Sequence, residues 1–236
     1  MRLVSKFVGI ATMALVGLMP AAAAAESYSF DSCISANWTG CSTLPSQLKV
    51  EVTNVGDEYV DFTFTNDIGI ESSITAIYFD VAGGLFTGID VEAQTDGVDF
   101  EAGDPTPPDV PSATGATPPF EVTTLGGKGK NKVTLGADSA GSPEGLDDPT
   151  ESVTLRLKLA EGVTLADIIA ALDEGSEVDS LRIAAHIQSL PGGLSDSVIC
   201  CGSGDGTPSP EPASISLFGL LALAAAYRLR RRKVNE

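Results

Sequence analysis

Four cysteines, a single histidine and two runs of carboxylates are the side chains of this 236-residue chain that carry chemistry by type alone. Cys33 and Cys41 flank a short polar segment containing Asn37, Trp38 and Gly40, whereas Cys200 and Cys201 are adjacent. In an oxidising compartment such thiols form disulfides; the Cys-x-x-Cys spacing of a structural zinc site is absent, and no metal ligation is expected. Closing Cys33 onto Cys41 would stabilise by about 2.5 kcal/mol in the chain-entropy estimate. Pairing Cys200 with Cys201 demands a strained eight-membered ring, so a crossed pattern linking Cys33 or Cys41 to the C-terminal pair stays open. His186 is the one side chain whose ordinary pKa lies near neutrality, and Ser189, Ser195 and Ser197 follow it closely. A hydrolase would hold its nucleophile on a Gly-x-Ser-x-Gly turn, which is missing here, and strand alternation turns His186 away from the apolar face. No catalytic residue and no cofactor are expected, and the chain is not read as an enzyme.

The acidic runs invite a hard cation. Asp96, Asp99, Glu101 and Asp104 fall close together, as do Glu144, Asp147 and Asp148, yet neither run has the spacing of an EF-hand loop. A solvated acidic face is the expectation. Gly126-Gly127-Lys128-Gly129-Lys130 lacks the phosphate-loop spacing and reads as a turn between strands. Asn37-Trp38-Thr39 fits a glycosylation pattern, and Trp38 is expected to plug one end of the fold rather than stack on a sugar.

The elements that must position these groups are strands. Val60, Phe62 and Phe64 alternate with Asp61, Thr63 and Thr65; Leu48, Val50 and Val52 repeat the pattern, as do Val153, Leu155, Leu157 and Leu159, and again Leu181, Ile183, Ala185 and Ile187. Period two with one apolar face is a half-buried strand. Residues 74–81 are apolar on both faces and belong in the middle of a sheet, with Ile77, Phe79 and Val81 on one side and Ile74, Ala76 and Tyr78 on the other. Weaker strand patterns cover 85–93, 98–101, 120–124 and 132–135. Thr164-Leu165-Ala166-Asp167 has the form of a capping box ahead of the apolar stripe Ile168, Ile169 and Leu172, which predicts one helix of about ten residues ending at Gly175. Residues 103–119, with six prolines, and 136–149 read as loops. The expectation is an all-β domain, a two-sheet sandwich of jelly-roll type with one short helix.

Composition is globular, 43% hydrophobic and 19% charged, with a formal net charge of −18. The basic residues gather at the two ends: seven basic and 30 acidic residues fall between positions 26 and 209, a net charge of −23. Such a surface repels phosphate backbones, so no nucleic-acid partner is expected.

Both ends read as addresses. Arg2 and Lys6, the apolar stretch 7–19 and the small residues 21–25 make a signal peptide over 1–25, cleaved between Ala25 and Glu26. At the other end, a Gly/Ser/Pro linker at 201–209 leads to Pro210-Glu211-Pro212, then an apolar helix over 213–227 and a basic tail at 228–233. Fifteen helical residues reach about 22 Å, a marginal membrane span whose basic end would stay in the cytoplasm.

Pro210-Glu211-Pro212-Ala213-Ser214, the Leu/Ala/Gly-rich helix and the Arg-rich terminus together resemble the PEP-CTERM sorting signal of Gram-negative bacteria. Phe62-Thr63-Phe64-Thr65-Asn66, the run from Ser73 to Asp80, the run from Leu181 to Ser189 and Ser195-Asp196-Ser197 are similar to an ectodomain that recurs in that family. The resemblance implies a signal peptidase and secretion machinery, and then an exosortase, a membrane-embedded cysteine transpeptidase, cutting near the Pro-Glu-Pro motif. After a transient single pass of the inner membrane, the mature domain at 26–200 would reach the cell surface or the extracellular polysaccharide matrix in a structural or interaction role. A carbohydrate- or calcium-binding module of that matrix is the alternative. The resemblance implies no activity for the domain, and the terminal pair Cys200-Cys201 departs from the family pattern.

Overall fold

The computed structural model describes residues 25–33, 42–67, 69–81, 84–103, 120–126, 133–174 and 180–200. The expected signal peptide before Ala25, Cys41, Trp38, Asp104, the expected turn at Lys128 and Lys130, Cys201, the expected linker, the Pro210-Glu211-Pro212 motif and the helix and basic tail expected beyond it lie outside these residues. Among the described residues no helix is long and apolar enough to cross a membrane.

Among the described residues twelve strands, two α-helices and one 3-10 turn make an all-β domain. Strands β1 (Ala25–Cys33), β2 (Leu48–Val55), β3 (Tyr59–Asn66), β4 (Ser73–Val81), β5 (Phe86–Gln94) and β6 (Phe100–Ala102) fill the first half, with the one-turn helix α1 (Leu44–Gln47) before β2. A small ribbon of β7 (Thr124–Leu125) and β8 (Val133–Thr134) precedes β9 (Gly136–Ser139), β10 (Ser152–Leu159), helix α2 (Leu165–Glu174), β11 (Leu181–Leu190) and β12 (Leu194–Cys200).

The expected sandwich has two separate sheets; the structure has one large sheet, nearly barrel-shaped, beside the small ribbon of β7 and β8. Ten strands run continuously in the order β5-β10-β3-β2-β1-β12-β11-β4-β9-β6, every pair antiparallel. The join is β1. Its first half, from Ala25 to Ser29, pairs with β2, and after an irregularity between Phe30 and Ser32 its second half pairs with β12. A bulge bends a strand and strengthens its twist, so one strand can hand the ladder from one half of the sheet to the other. Curling brings the halves face to face across a core, almost as a barrel. Phe62 of β3 packs edge-on against Phe79 of β4 at 5.2 Å between ring centroids, and Phe64 meets the same ring at 6.3 Å. The far edges, β5 and β6, approach where Phe100 N–H donates to Gln94 Oε1 (2.8 Å).

Alternation carries most of this architecture. Val60, Phe62 and Phe64, Val153, Leu155 and Leu157, and Leu181, Ile183, Ala185 and Ile187 are all fully buried in one cluster. In β4 the expected facing changes midway. Ala76 pairs with His186 while Ile74 pairs with Ile187, so Thr75 is the extra residue of a bulge, and Ile74 joins Ile77 and Phe79 in the main core. Helix α2 is capped as expected: Asp167 Oδ2 accepts from Thr164 N–H (2.8 Å), and Asp167 N–H donates to Thr164 Oγ1 (3.4 Å). Its Ile168, Ala171 and Leu172 enter the core at the end of the sheet where β1 begins.

The segment 136–149 departs from its loop reading, because β9 lies within it. Gly136 sits in β9 opposite Tyr78, where a Cβ would stand 2.6 Å from the Ile77 carbonyl oxygen. A glycine that reads as loop punctuation in the sequence is there for close backbone approach within a sheet.

Candidate functional site

Three places gather the residues singled out above. The first is where β1 and β12 lie side by side. Ala25 and Glu26, the expected cleavage pair, are the first two residues of β1 and lie opposite Thr53 and Val52. Cys200 of β12 is opposite Phe30, five residues along β1 from Ala25, about 17 Å. Between them in β1, Tyr28 Oη donates to Asp173 Oδ1 of α2 at 3.3 Å. Burial raises the Tyr28 pKa well above its ordinary value, with the charges of Asp173 and Glu26 adding to the shift. Cys200 is buried in the main core and Cys33 packs against it; neither is a free thiol, and both are disulfide-bonded.

The second place is the outer face of β4, β11 and β12. His186 Nδ1 lies 3.2 Å from Ser197 Oγ, directly across the ladder. Asp196 is next to Ser197 and accepts its backbone N–H at 2.7 Å, but it pairs with Ile187 on the inner face. Its side chain therefore stands on the opposite side of β12 from the His186 ring. Ser189 instead contacts Ser142 and Ser195 is exposed, so of the three candidate serines only Ser197 meets the histidine. This face is not the solvated one that alternation predicts. Phe120 covers Ala76, Tyr78 and Ala184, and the Arg182 guanidinium lies 5.4 Å from its ring while also pairing with Asp80. Glu121 N–H donates to Asp80 Oδ2 (3.1 Å) and Thr123 N–H to Phe79 O (2.9 Å), so the segment 120–123 is pinned over the sheet. Nothing in local sequence marks Arg182, Asp80 and Phe120 as partners, since they come from three distant segments.

The third place is the end of the sheet where the two acidic runs meet. Asp99 N–H donates to Glu144 O (2.9 Å), and Glu151 Oε2 accepts from the backbone N–H groups of Asp147 and Asp148 at 2.7 and 3.0 Å. Partial burial, and then the charge of Glu151, raise the Asp147 pKa, whereas hydrogen bonds from Thr150 lower that of Asp148. Among the described residues no group of three or more His, Cys, Asp or Glu could hold a metal ion. Glu101 lies away from this turn in β6, opposite Asp138.

A buried polar network organises that end, and it was not anticipated from sequence. Gln47 Nε2 donates to Asn66 Oδ1 (2.9 Å), Ile70 O (2.9 Å) and Ser72 Oγ (2.8 Å), and Gln47 Oε1 accepts from Ile70 N–H (2.7 Å). Asn66 Nδ2 donates to Ser72 O (3.0 Å) and Leu146 O (2.9 Å). Asn66 falls in phase with Val60, Phe62 and Phe64 on the inward face of β3, and that polar residue in an apolar phase was the available signal. Comparison of the chain with protein-family models, with curated proteins and with solved structures finds no match.

Proposed function

We propose that this chain is an exported cell-surface or extracellular-matrix protein, sorted by a C-terminal signal and cut by an exosortase near Pro210-Glu211-Pro212, with a non-catalytic domain at 26–200. One observation carries the reading: β1, which holds the expected cleavage pair, and β12, which precedes the expected linker, are neighbours in the sheet, with Cys200 opposite Phe30. A precursor with an apolar segment at each terminus must engage a single bilayer through both, and a domain whose first and last described strands are neighbours suits that demand without unfolding. The curled sheet is read here as two layers sharing β1, the sandwich that the strand pattern predicts, supported by the facing Phe62 and Phe79 rings.

The test is mass spectrometry of both termini of the protein recovered from its native surface or medium. An N-terminus at Glu26 and a C-terminus near Pro210, without the apolar tail, is expected. An intact Glu236 in the membrane fraction would make the tail a plain anchor and end the sorting proposal.

A further inference from the structure

Asp148 and Pro149 lie in an exposed turn between β9 and β10, and the hydrogen bonds around their peptide link prepare its carbonyl for attack. Glu151 N–H donates to Asp148 O (3.0 Å), closing a four-residue turn with proline in its second position. Thr150 N–H and Thr150 Oγ1 donate to Asp148 Oδ1 at 2.9 and 2.7 Å, which holds the carboxylate beside the main chain of the turn rather than out in solvent. The nitrogen of Pro149 belongs to a tertiary amide, which takes up a proton more readily than a secondary amide and can depart as a secondary ammonium.

We infer that the Asp148–Pro149 bond is a self-cleavage site that acts in acid. The Asp148 carboxylate adds to its own carbonyl carbon and forms a five-membered anhydride; the carbon–nitrogen bond breaks, and the Pro149 nitrogen leaves with a proton taken from the acidic solvent. One water then opens the anhydride, leaving two carboxyl groups on Asp148 and a free N-terminus at Pro149. A nucleophile already held in the turn has little orientational freedom left to lose, and Glu151 N–H points at the oxygen on which negative charge develops. Hydrogen bonds from Thr150 hold the Asp148 carboxyl below its ordinary range, so it stays ionised at a pH where the leaving nitrogen gains its proton. The titratable groups of the segments packed on the turn are carboxylates: Asp147 and Glu151 within it, Glu144 before it, Asp96 and Asp99 in the segment bonded to Ser152 and Glu144, and Glu71 and Asp67 beside Asn66, where Lys49 is paired with Asp67. Their field favours the arrival of that proton.

The cut severs the chain without dispersing the domain. β10 is laddered to β3 and β5, β11 to β4, and β12 to β1, so each strand after the cut is paired with one before it. The inference stands on this turn alone and holds whether or not the C-terminal motif is processed.

The full chain is incubated at the lowest pH at which circular dichroism still reports the sheet, and in parallel in urea at the same pH. Denaturing electrophoresis and mass spectrometry follow the pieces ending at Asp148 and beginning at Pro149, which mass separates from a cut at the other Asp-Pro bond of the chain, Asp104–Pro105. The folded chain should be cut at Asp148 about tenfold faster than the unfolded one, because only the fold holds the carboxylate and the Glu151 N–H in place. Thr150→Val should slow the cut in the folded chain and leave the rate in urea unchanged. A folded-state rate no greater than that in urea, or a cut that persists in Asp148→Asn, would overturn the inference.

Discussion

Asn66→Asp is the sharpest probe of how the acidic end is held. Asn66 is 4% exposed, and its amide nitrogen is the donor to the carbonyl oxygens of Ser72 and Leu146. Replacing that nitrogen with a carboxylate oxygen sets acceptor against acceptor at both contacts. Each buried carbonyl left without its donor costs about 1–3 kcal/mol, so the loss is about 3 kcal/mol even before burial of a new charge is counted. For a domain of this size that is a fall in Tm of about 6–12 °C. The introduced carboxyl avoids part of the penalty by keeping its proton, which restores one donor; its pKa in the fold rises above the unfolded value. Sign follows from proton binding: the folded state then holds more protons than the unfolded one above about pH 4, so the deficit grows as pH rises through the carboxylate range. Urea unfolding at pH 4 and pH 7 measures it, with an unchanged slope as the check that the unfolded state is unaffected. Asp67→Asn, one residue further on and solvent-exposed, should shift the midpoint by under about 1 kcal/mol. A loss below about 1 kcal/mol for Asn66→Asp at pH 7 would refute the network as drawn.

Three other outcomes are expected. Arg156 grips Asp61 with two bonds of 2.8 Å and reaches Glu92 at 2.8 Å, so Arg156→Leu should cost about 2 kcal/mol, and Arg156→Leu with Asp61→Leu should cost less than the single change; equal midpoints for Arg156→Leu and wild type in urea would contradict the pairing. Hydrogen bonds from Thr164 hold the Asp167 carboxyl below its ordinary range, a contribution present above about pH 4 and lost as pH falls, so Asp167→Ala should melt earlier than wild type at pH 7 and alongside it below about pH 3 by circular dichroism. Because the Tyr28 pKa is raised, the fold favours the neutral phenol, and stability should fall as pH rises above about 10; Tyr28→Phe should flatten that alkaline decline, and an unchanged slope of unfolding midpoint against pH would count against burial as its cause.

The strands with one apolar phase were legible because alternation is a local consequence of which face is dry. β2, β3, β10 and β11 have both their place and their inward residues in that pattern, and the capping box located α2. The short strands β6 and β8 fall within the weaker patterns at 98–101 and 132–135, whereas β9 and β12 were not legible. β12 carries Ser195, Asp196 and Ser197, and β9 begins at Gly136, so neither shows a period; they are strands because neighbouring edges offer them hydrogen bonds. His186 was correctly turned off the main core, yet its surroundings were misjudged, since the cover over that face comes from residues 120–123, far away in sequence.

By itself the sequence determined the class of fold, the apolar faces of the long strands, the helix and its cap, and the acidity of the domain, because each depends on residues within a few positions of one another. Tertiary structure alone decided that the sheet is continuous through β1, that Thr75 is bulged and that the two acidic turns converge. These depend on register between strands whose partners lie up to 170 positions apart, and register is fixed by simultaneous packing of a shared core, which no local pattern encodes.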